Sequence, residues 1–235
     1  MTQFVSWSRS AGLLVPVLLL AACAPKAAEP AAKADSSTPA VTEVAIAPGS
    51  AQQVAYGRDV VIQHDCSGCH GGTHPGDKGW LAGVMSPLQE FQIGACSFAN
   101  PKAKPCFVTR PRNLTPDDST GLGRFTERQI FNALRFGLRP ETTPDVEITG
   151  STPGQGNFPE NPHYLAVPMP WPSWRHMPDK ELWAIAAYLK RGLKPFANKV
   201  AESDGPPDFW ASAYTVDKIG PYPVAAFPTA NEKGQ

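Results

Sequence analysis

The sequence has no excess of charge of either sign, since 21 Lys and Arg residues balance 21 Asp and Glu residues among the 235. A chain balanced in this way gives no indication of a nucleic-acid partner or of a strongly charged protein partner. Repeats of fixed period are absent, and after residue 22 no apolar run is long enough to cross a bilayer. We therefore expect one compact, soluble domain with irregular arms after the N-terminal run.

Strand patterns are missing as well. No segment alternates apolar and polar residues for long enough to build a sheet, so the sequence predicts an all-α protein with long loops. One helix is expected over 52–65, and a second over 126–137, where a capping box precedes it and a glycine ends it. A third is expected between 178 and 195, because its apolar residues recur at helical spacing.

The N-terminal residues have the features of an export signal. Arg9 precedes an apolar stretch from Ala11 to Ala22, which has the length of a signal peptide's apolar region rather than of a spanning helix. The stretch ends at Cys23 in a Leu-Ala-Ala-Cys sequence that resembles the lipobox of bacterial lipoproteins. The resemblance implies a lipoprotein signal peptide over 1–22 and lipidation of Cys23. A plain secretory signal followed by a chance cysteine is the alternative.

Residues 23–50 are rich in Ala, Pro, Ser and Thr and have no period, which is typical of a flexible tether. Acyl chains on Cys23 would give a strong anchor, since each buried methylene contributes about 0.8 kcal/mol. On this interpretation the protein is lipid-anchored to a membrane of the bacterial cell envelope and faces the periplasm.

Four cysteines remain after Cys23, and each needs an explanation in an exported protein, where unprotected thiols oxidise. Cys66 and Cys69 belong to a C-x-x-C-H sequence, the attachment signal of c-type haem. The spacing places both thiols along one helical turn, where each can bond a haem vinyl group, and His70 follows as the proximal iron ligand. A redox disulfide would favour a βαβ pattern around the motif, and a zinc site would need two further ligands at suitable spacing. Neither pattern is present.

Cys96 and Cys106 are the second pair. They flank a short loop, and an exported pair this close most simply forms a disulfide, which would contribute about 2–3 kcal/mol. In the alternative, one of the two is a distal iron ligand, which would leave the other unpaired.

The order of these features resembles a known family. A helix, a C-x-x-C-H motif, a middle helix, a Met-Pro loop and an amphipathic last helix, together covering residues 51–195, are similar to the class I cytochrome c fold. Five segments resemble more specifically the cytochrome c subunits associated with periplasmic dehydrogenases: 112–117, 120–123, 125–126, 169–171 and 179–189. The resemblance implies one covalent haem c, and a crossing of the first and last helices near Gly57 and Tyr188.

The resemblance also assigns a distal iron ligand, Met169, which lies between two prolines. Methionine opposite histidine raises the reduction potential of haem iron and closes its open position, which suits electron transfer. Met169 could instead be a core methionine. The alternative ligands are Met177 or, for bis-histidine ligation, His163 and His176.

Four further residues are candidate haem contacts. Arg110, Arg112 and Asn113 could donate hydrogen bonds to the haem propionates, because guanidinium groups suit carboxylates. Trp171 could pack on the porphyrin. The alternatives are a solvated loop for the arginines and a core position for the tryptophan.

A protein of this kind is expected to be an electron carrier, or an electron-transfer subunit of a dehydrogenase complex, rather than an enzyme itself. Its expected partners are a periplasmic dehydrogenase and a respiratory acceptor. The alternative is a haem enzyme or a gas-binding sensor with an open distal site. Residues 139–168 form a long loop before Met169, and 196–235 form a Pro- and aromatic-rich C-terminal extension; neither fits the family pattern.

Overall fold

The computed structural model describes residues 45–85, 90–96, 100, 102–203 and 211–234. The expected signal peptide and most of the expected tether, including Cys23, lie outside the described residues. The helices are α1 (Ala51–Gln63), α2 (Cys66–His70), α3 (Glu127–Phe136), α4 (Trp171–Trp174), α5 (Asp179–Ala187) and α6 (Val216–Ile219), with strands β1 (Phe91–Gly94) and β2 (Cys106–Thr109). None of the helices in these ranges is long and apolar enough to span a bilayer.

Helix α1 begins at Ala51 because Ser50 caps it. The Ser50 hydroxyl accepts a hydrogen bond from the Gln53 N–H at 3.1 Å, satisfying one donor of the first turn. The helix was expected over 52–65, but it ends at Gln63. Asp65 is in the left-handed region at φ 48°, which stops α1 and turns the chain directly into α2.

Helix α3 confirms the prediction made from its capping signals. Thr126 and Gln129 form the reciprocal capping box, and Gly137 ends the helix at φ 69°. A Cβ on Gly137 would lie 2.1 Å from the indole of Trp171, so glycine is needed here for close packing as well as for its positive φ.

The predicted crossing of the first and last helices is confirmed at Gly57. A Cβ at this position would lie 1.8 Å from the Ala184 carbonyl oxygen and 2.9 Å from the Tyr188 Cβ. The two backbones therefore approach as closely as a residue without a side chain allows. The helix expected between 178 and 195 is present as α5, and after Ala187 it continues as a π-helical turn, Tyr188–Gly192.

Gly57→Ala is expected to reduce the free energy of unfolding by about 2 kcal/mol, because the added methyl must push α1 away from α5. In an uncrowded helix the same change would stabilise the protein by about 1 kcal/mol, so the sign of the effect is diagnostic. Urea denaturation measures it. Gln52→Ala, at an exposed position of α1, is the control and should change stability by less than about 0.5 kcal/mol. A Gly57→Ala protein as stable as the parent would contradict the crossing.

The main apolar cluster lies between α1, α3 and α5. Its buried members are Val60, Val61, Trp80, Leu81, Leu122, Phe125, Ile130, Phe131, Leu134, Met177, Leu182, Ile185, Ala186, Tyr188 and Leu189. Within it the Trp80 indole N–H donates to the Tyr188 hydroxyl at 3.0 Å, which satisfies the indole donor inside the core. A smaller apolar cluster consists of Leu138, Ile148 and Phe158, of which the last two belong to the long loop that precedes Met169.

A two-stranded antiparallel sheet corrects the all-α prediction. Strands β1 and β2 pair from Phe91 opposite Thr109 to Gly94 opposite Cys106. A disulfide between Cys96 and Cys106 closes this hairpin, in agreement with the pairing expected from their spacing. Each strand has only four residues, too few for an alternating pattern to stand out in the sequence. The fold is therefore mostly helical with long loops.

Candidate haem-attachment site

Helix α2 presents the C-x-x-C-H residues on a single turn between two sharp bends. Asp65 turns the chain into the helix, and Gly71 turns it out at φ 90°. A Cβ on Gly71 would lie 2.7 Å from the Gly83 carbonyl oxygen, so the exit bend is packed against the loop around residue 83. These bends fix Cys66, Cys69 and His70 along one short helix.

Cys66 and Cys69 are not bonded to each other, unlike Cys96 and Cys106. Burial, followed by the charge of Asp65, raises the pKa of the Cys66 thiol to about 12. The same two causes raise the pKa of Cys69. Reactive redox cysteines have lowered pKa values, so the environment of this pair does not favour a thiol–disulfide exchange site.

Metal ligation by a side-chain cluster has no support in the described part of the chain. There, no group of three or more His, Cys, Asp and Glu residues is arranged to hold a metal ion. The zinc alternative for Cys66 and Cys69 therefore lacks further ligands among the described residues.

His70 is buried and held at both ends. Its Nδ1 lies 2.7 Å from the Arg112 carbonyl oxygen, and its own carbonyl oxygen accepts from the Gly83 N–H at 2.7 Å. Because a carbonyl can only accept, Nδ1 must carry the hydrogen. Burial lowers the pKa of His70, although the Arg112 carbonyl opposes the shift. The ring is therefore a neutral imidazole with its lone pair on Nε2, the form that binds a metal.

Met169 and Cys66 border the same apolar cluster, although they are about a hundred positions apart in the sequence. Met169 is half-buried and lies in a turn closed by its N–H and the Ala166 carbonyl oxygen at 2.9 Å. Met177, the rival sulfur, is a buried member of the cluster itself. The distal-ligand assignment of Met169 stays a prediction.

The three residues proposed to bind propionates all contact the C-terminal extension. The Arg112 guanidinium donates to a Glu202 carboxylate oxygen at 2.8 Å, and that of Arg110 donates to Glu90 at 2.6 Å and to the Glu202 carbonyl oxygen. The Asn113 side chain, 1% exposed, donates to the Phe196 carbonyl oxygen at 2.8 Å. Their predicted haem contacts stay predictions, but these protein contacts were not foreseen from the sequence.

Trp171 is buried between two tyrosine rings. Its ring is stacked on Tyr164 at a centroid distance of 6.0 Å and meets Tyr214 edge-on at 4.8 Å. The indole Nε1 makes no hydrogen bond of good geometry, but its contact with the Tyr214 hydroxyl opposes the effect of burial, which raises the pKa of Tyr214 to about 12. The predicted packing of Trp171 on a porphyrin stays a prediction.

The two histidines considered for bis-histidine ligation have other contacts. The His176 ring lies 5.8 Å from that of Tyr222, and its Nε2 accepts from Arg175 Nε at 3.3 Å. Burial, followed by the charges of Arg175 and Arg135, lowers the pKa of His176. The backbone carbonyl of His163 accepts from the Arg139 N–H at 2.8 Å. Neither histidine is identified as a ligand by these contacts.

Taken together, these residues fit a covalently attached haem. Two unpaired thiols and a neutral, oriented imidazole lie on one turn beside an apolar cluster, with a thioether at the border of the same cluster. A mostly helical domain with long loops and this motif is compatible with a c-type cytochrome.

Comparison with known proteins identifies relatives that are cytochrome c subunits of dehydrogenases, although no protein-family model matches the chain. The cytochrome c subunits of the quinone-type alcohol dehydrogenases of Gluconacetobacter polyoxogenes and Komagataeibacter europaeus are each 33% identical over 96 residues. The cytochrome c subunit of gluconate 2-dehydrogenase from Pantoea cypripedii is 29% identical over 106 residues. The matched part is 41% to 45% of this chain and only 15% to 20% of the length of these relatives.

The relatives agree with the prediction that the chain is an electron-transfer component rather than a catalytic enzyme, since all three are the cytochrome c subunits of dehydrogenases. Cytochrome c subunits imply haem c.

Proposed function

We propose that this chain transfers electrons through a single haem c, bound covalently by Cys66 and Cys69 and ligated by His70 and Met169. The observation that carries the proposal is the arrangement on α2: two unpaired thiols beside an imidazole whose Nδ1–H is committed to the Arg112 carbonyl. When bound, haem supplies a one-electron couple between ferric and ferrous iron.

The protein's part is to hold the ligands and to exclude water. The Arg112 carbonyl fixes the His70 tautomer and keeps Nε2 available as a ligand atom. The apolar cluster beside Cys66 and Met169 provides surroundings of low polarity, which limit rearrangement when the charge of a bound group changes.

The proposed electron donor is a dehydrogenase in the same membrane, and the proposed acceptor is a respiratory component. The names of the relatives support a dehydrogenase partner, because they are subunits of alcohol and gluconate dehydrogenases. Lipidation at Cys23, together with the tether of residues 23–50, would hold the chain on the periplasmic side of a membrane of the bacterial cell envelope.

The test is expression of the full-length chain in a bacterium that matures c-type cytochromes, followed by detergent extraction of the membranes. We expect one haem per chain that remains attached after denaturation. Alcohol or gluconate dehydrogenase, added with its substrate, should reduce this haem. Absence of covalent haem would refute the proposed cofactor, whereas a haem that neither dehydrogenase reduces would refute a partner of these two types.

Cys23→Ser provides the control for localisation within the same experiment. The variant is expected to bind haem normally but to appear in the soluble periplasmic fraction instead of the membrane fraction. A Cys23→Ser protein that remains in the membrane would contradict the lipid anchor without affecting the proposed electron transfer.

A further inference from the structure

Residues 196–203, here called the strap, follow the π-helical turn Tyr188–Gly192 and bind two loops on the side of His70. The Asn198 side-chain amide donates to the carbonyl oxygens of Ala82, at 2.8 Å, and Val84, at 3.1 Å. The Asn198 N–H donates to the Thr120 hydroxyl at 3.0 Å. The half-buried side chain of Asn198 therefore binds the loop of residues 82–84 at both ends.

This loop holds the backbone of the proximal histidine. The Gly83 N–H donates to the His70 carbonyl oxygen at 2.7 Å, and Gly83 is one residue from each of the carbonyls that Asn198 binds. A Cβ on Gly83 would lie 2.8 Å from both the Arg112 carbonyl carbon and a Val200 methyl. The strap, the loop and the segment that contains Arg112 are therefore in direct contact.

The second loop holds the ring of the histidine. The Arg112 carbonyl accepts from His70 Nδ1 at 2.7 Å, while the Arg112 guanidinium donates to the Ala201 carbonyl oxygen at 3.2 Å and to Glu202. The next residue, Asn113, donates to the Phe196 carbonyl oxygen. The strap therefore binds the segment on both sides of the carbonyl that orients the imidazole.

We propose that the strap is a positioning element for the proximal histidine, and that through the His70–Arg112 hydrogen bond it sets the reduction potential. The inference rests on the proposed function. An imidazole whose Nδ1–H is held by an acceptor is a stronger electron donor, and a stronger donor favours the ferric state. A weaker hydrogen bond between His70 Nδ1–H and the Arg112 carbonyl should therefore raise the reduction potential of the haem.

Asn198→Ala tests the proposal, because it removes the two hydrogen bonds to residues 82–84 without changing the charge. This loop packs against the Arg112 carbonyl group, and its Val84 N–H donates to the Pro111 carbonyl oxygen at 3.1 Å, so its release should loosen the acceptor of His70. We expect the ferrous-to-ferric ratio at a fixed applied potential to rise about fivefold, the equilibrium equivalent of about one hydrogen bond. For a one-electron couple this is a shift of about 40 mV. We also expect the His70 Nδ1 proton, followed by paramagnetic NMR, to exchange with solvent at least about fivefold faster as that hydrogen bond opens more often.

Two further variants complete the test. Ala197→Ser, a neutral change at the exposed neighbouring position, should leave both measurements at the parent values. Asn198→Ser keeps one donor and should give an intermediate shift, so it decides the question if Asn198→Ala does not fold.

The outcomes separate the two hypotheses. A parent chain that lacks covalent haem would overturn the proposed function, and the role of the strap with it. Asn198 variants that carry haem with an unchanged potential and unchanged proton exchange would overturn the strap proposal alone. Equal shifts in Ala197→Ser would overturn it as well, because the effect would not depend on the hydrogen bonds of Asn198.

Discussion

Replacing Cys66 and Cys69 together by serine is expected to abolish covalent haem attachment completely. Thioether formation needs the sulfur of each cysteine, and both thiols are unpaired on the single turn of α2. Serine preserves the size of the side chain but provides no sulfur. The measurement is haem staining of the denatured full-length chain after gel electrophoresis, with the signal compared to the amount of protein.

The matched control is the Cys96→Ser/Cys106→Ser pair, which also removes two sulfur atoms. This variant should keep its covalent haem in the protein that folds, with a loss of about 2–3 kcal/mol of unfolding free energy because the disulfide is gone. Haem that stays attached in the Cys66→Ser/Cys69→Ser protein would contradict the proposed site. If covalent haem were lost only in the Cys96→Ser/Cys106→Ser control, the hairpin cysteines would be the attachment site instead.

The helices were the most predictable part of the fold, since their signals are local. Thr126 and Gln129 cap α3 through contacts within four residues, and such a signal can be read from a short sequence window. Gly57 was harder, because its crossing with the helix of Tyr188 was expected from the resemblance to a family and not from a local signal. The structure shows that the Ala184 carbonyl is the group that leaves no space for a Cβ.

Two features of the fold that the sequence did not predict leave little signal in residue type. Four-residue strands have no detectable period, so the sequence predicted the disulfide between Cys96 and Cys106 but not the hairpin of β1 and β2 that it closes. The end of α1 depends on the left-handed conformation of Asp65. Aspartate adopts this conformation more readily than most residues, but the residue type alone does not predict it.

The surroundings of His70 illustrate the same limit at the candidate site. The C-x-x-C-H motif identifies the histidine. Its acceptor, however, is the backbone carbonyl of Arg112, and every residue type has a backbone carbonyl, so the sequence does not show which one lies beside His70. Arg110 and Arg112 were predicted to contact haem because arginine suits carboxylates. Their protein partners, Glu90 and Glu202, are carboxylates too, but the pairing with Glu202 requires the strap to fold back across about ninety residues of sequence.

Met169→Leu is expected to lower the reduction potential by roughly 0.2 V, a quarter of the ~0.8 V range over which axial ligands act. A thioether ligand favours the ferrous state, and leucine keeps the volume and apolar character of the side chain but has no sulfur. The weak far-red absorption of the ferric protein that a sulfur–iron bond gives should disappear. Carbon monoxide should bind the ferrous protein once the distal position is open. Potentiometric titration and optical spectroscopy measure these changes.

Met177→Leu is the matched control, because Met177 is buried in the apolar cluster that Met169 borders. The control should keep the parent potential and the far-red band and lose less than about 1.5 kcal/mol of stability, as a change that conserves volume. Met85 is 60% exposed and is a weaker candidate for a ligand that must be shielded from water. If Met177→Leu lost the band and Met169→Leu kept it, the distal ligand would be Met177. A parent protein that binds carbon monoxide readily would favour the open-site alternative, a haem enzyme or gas sensor, over an electron carrier.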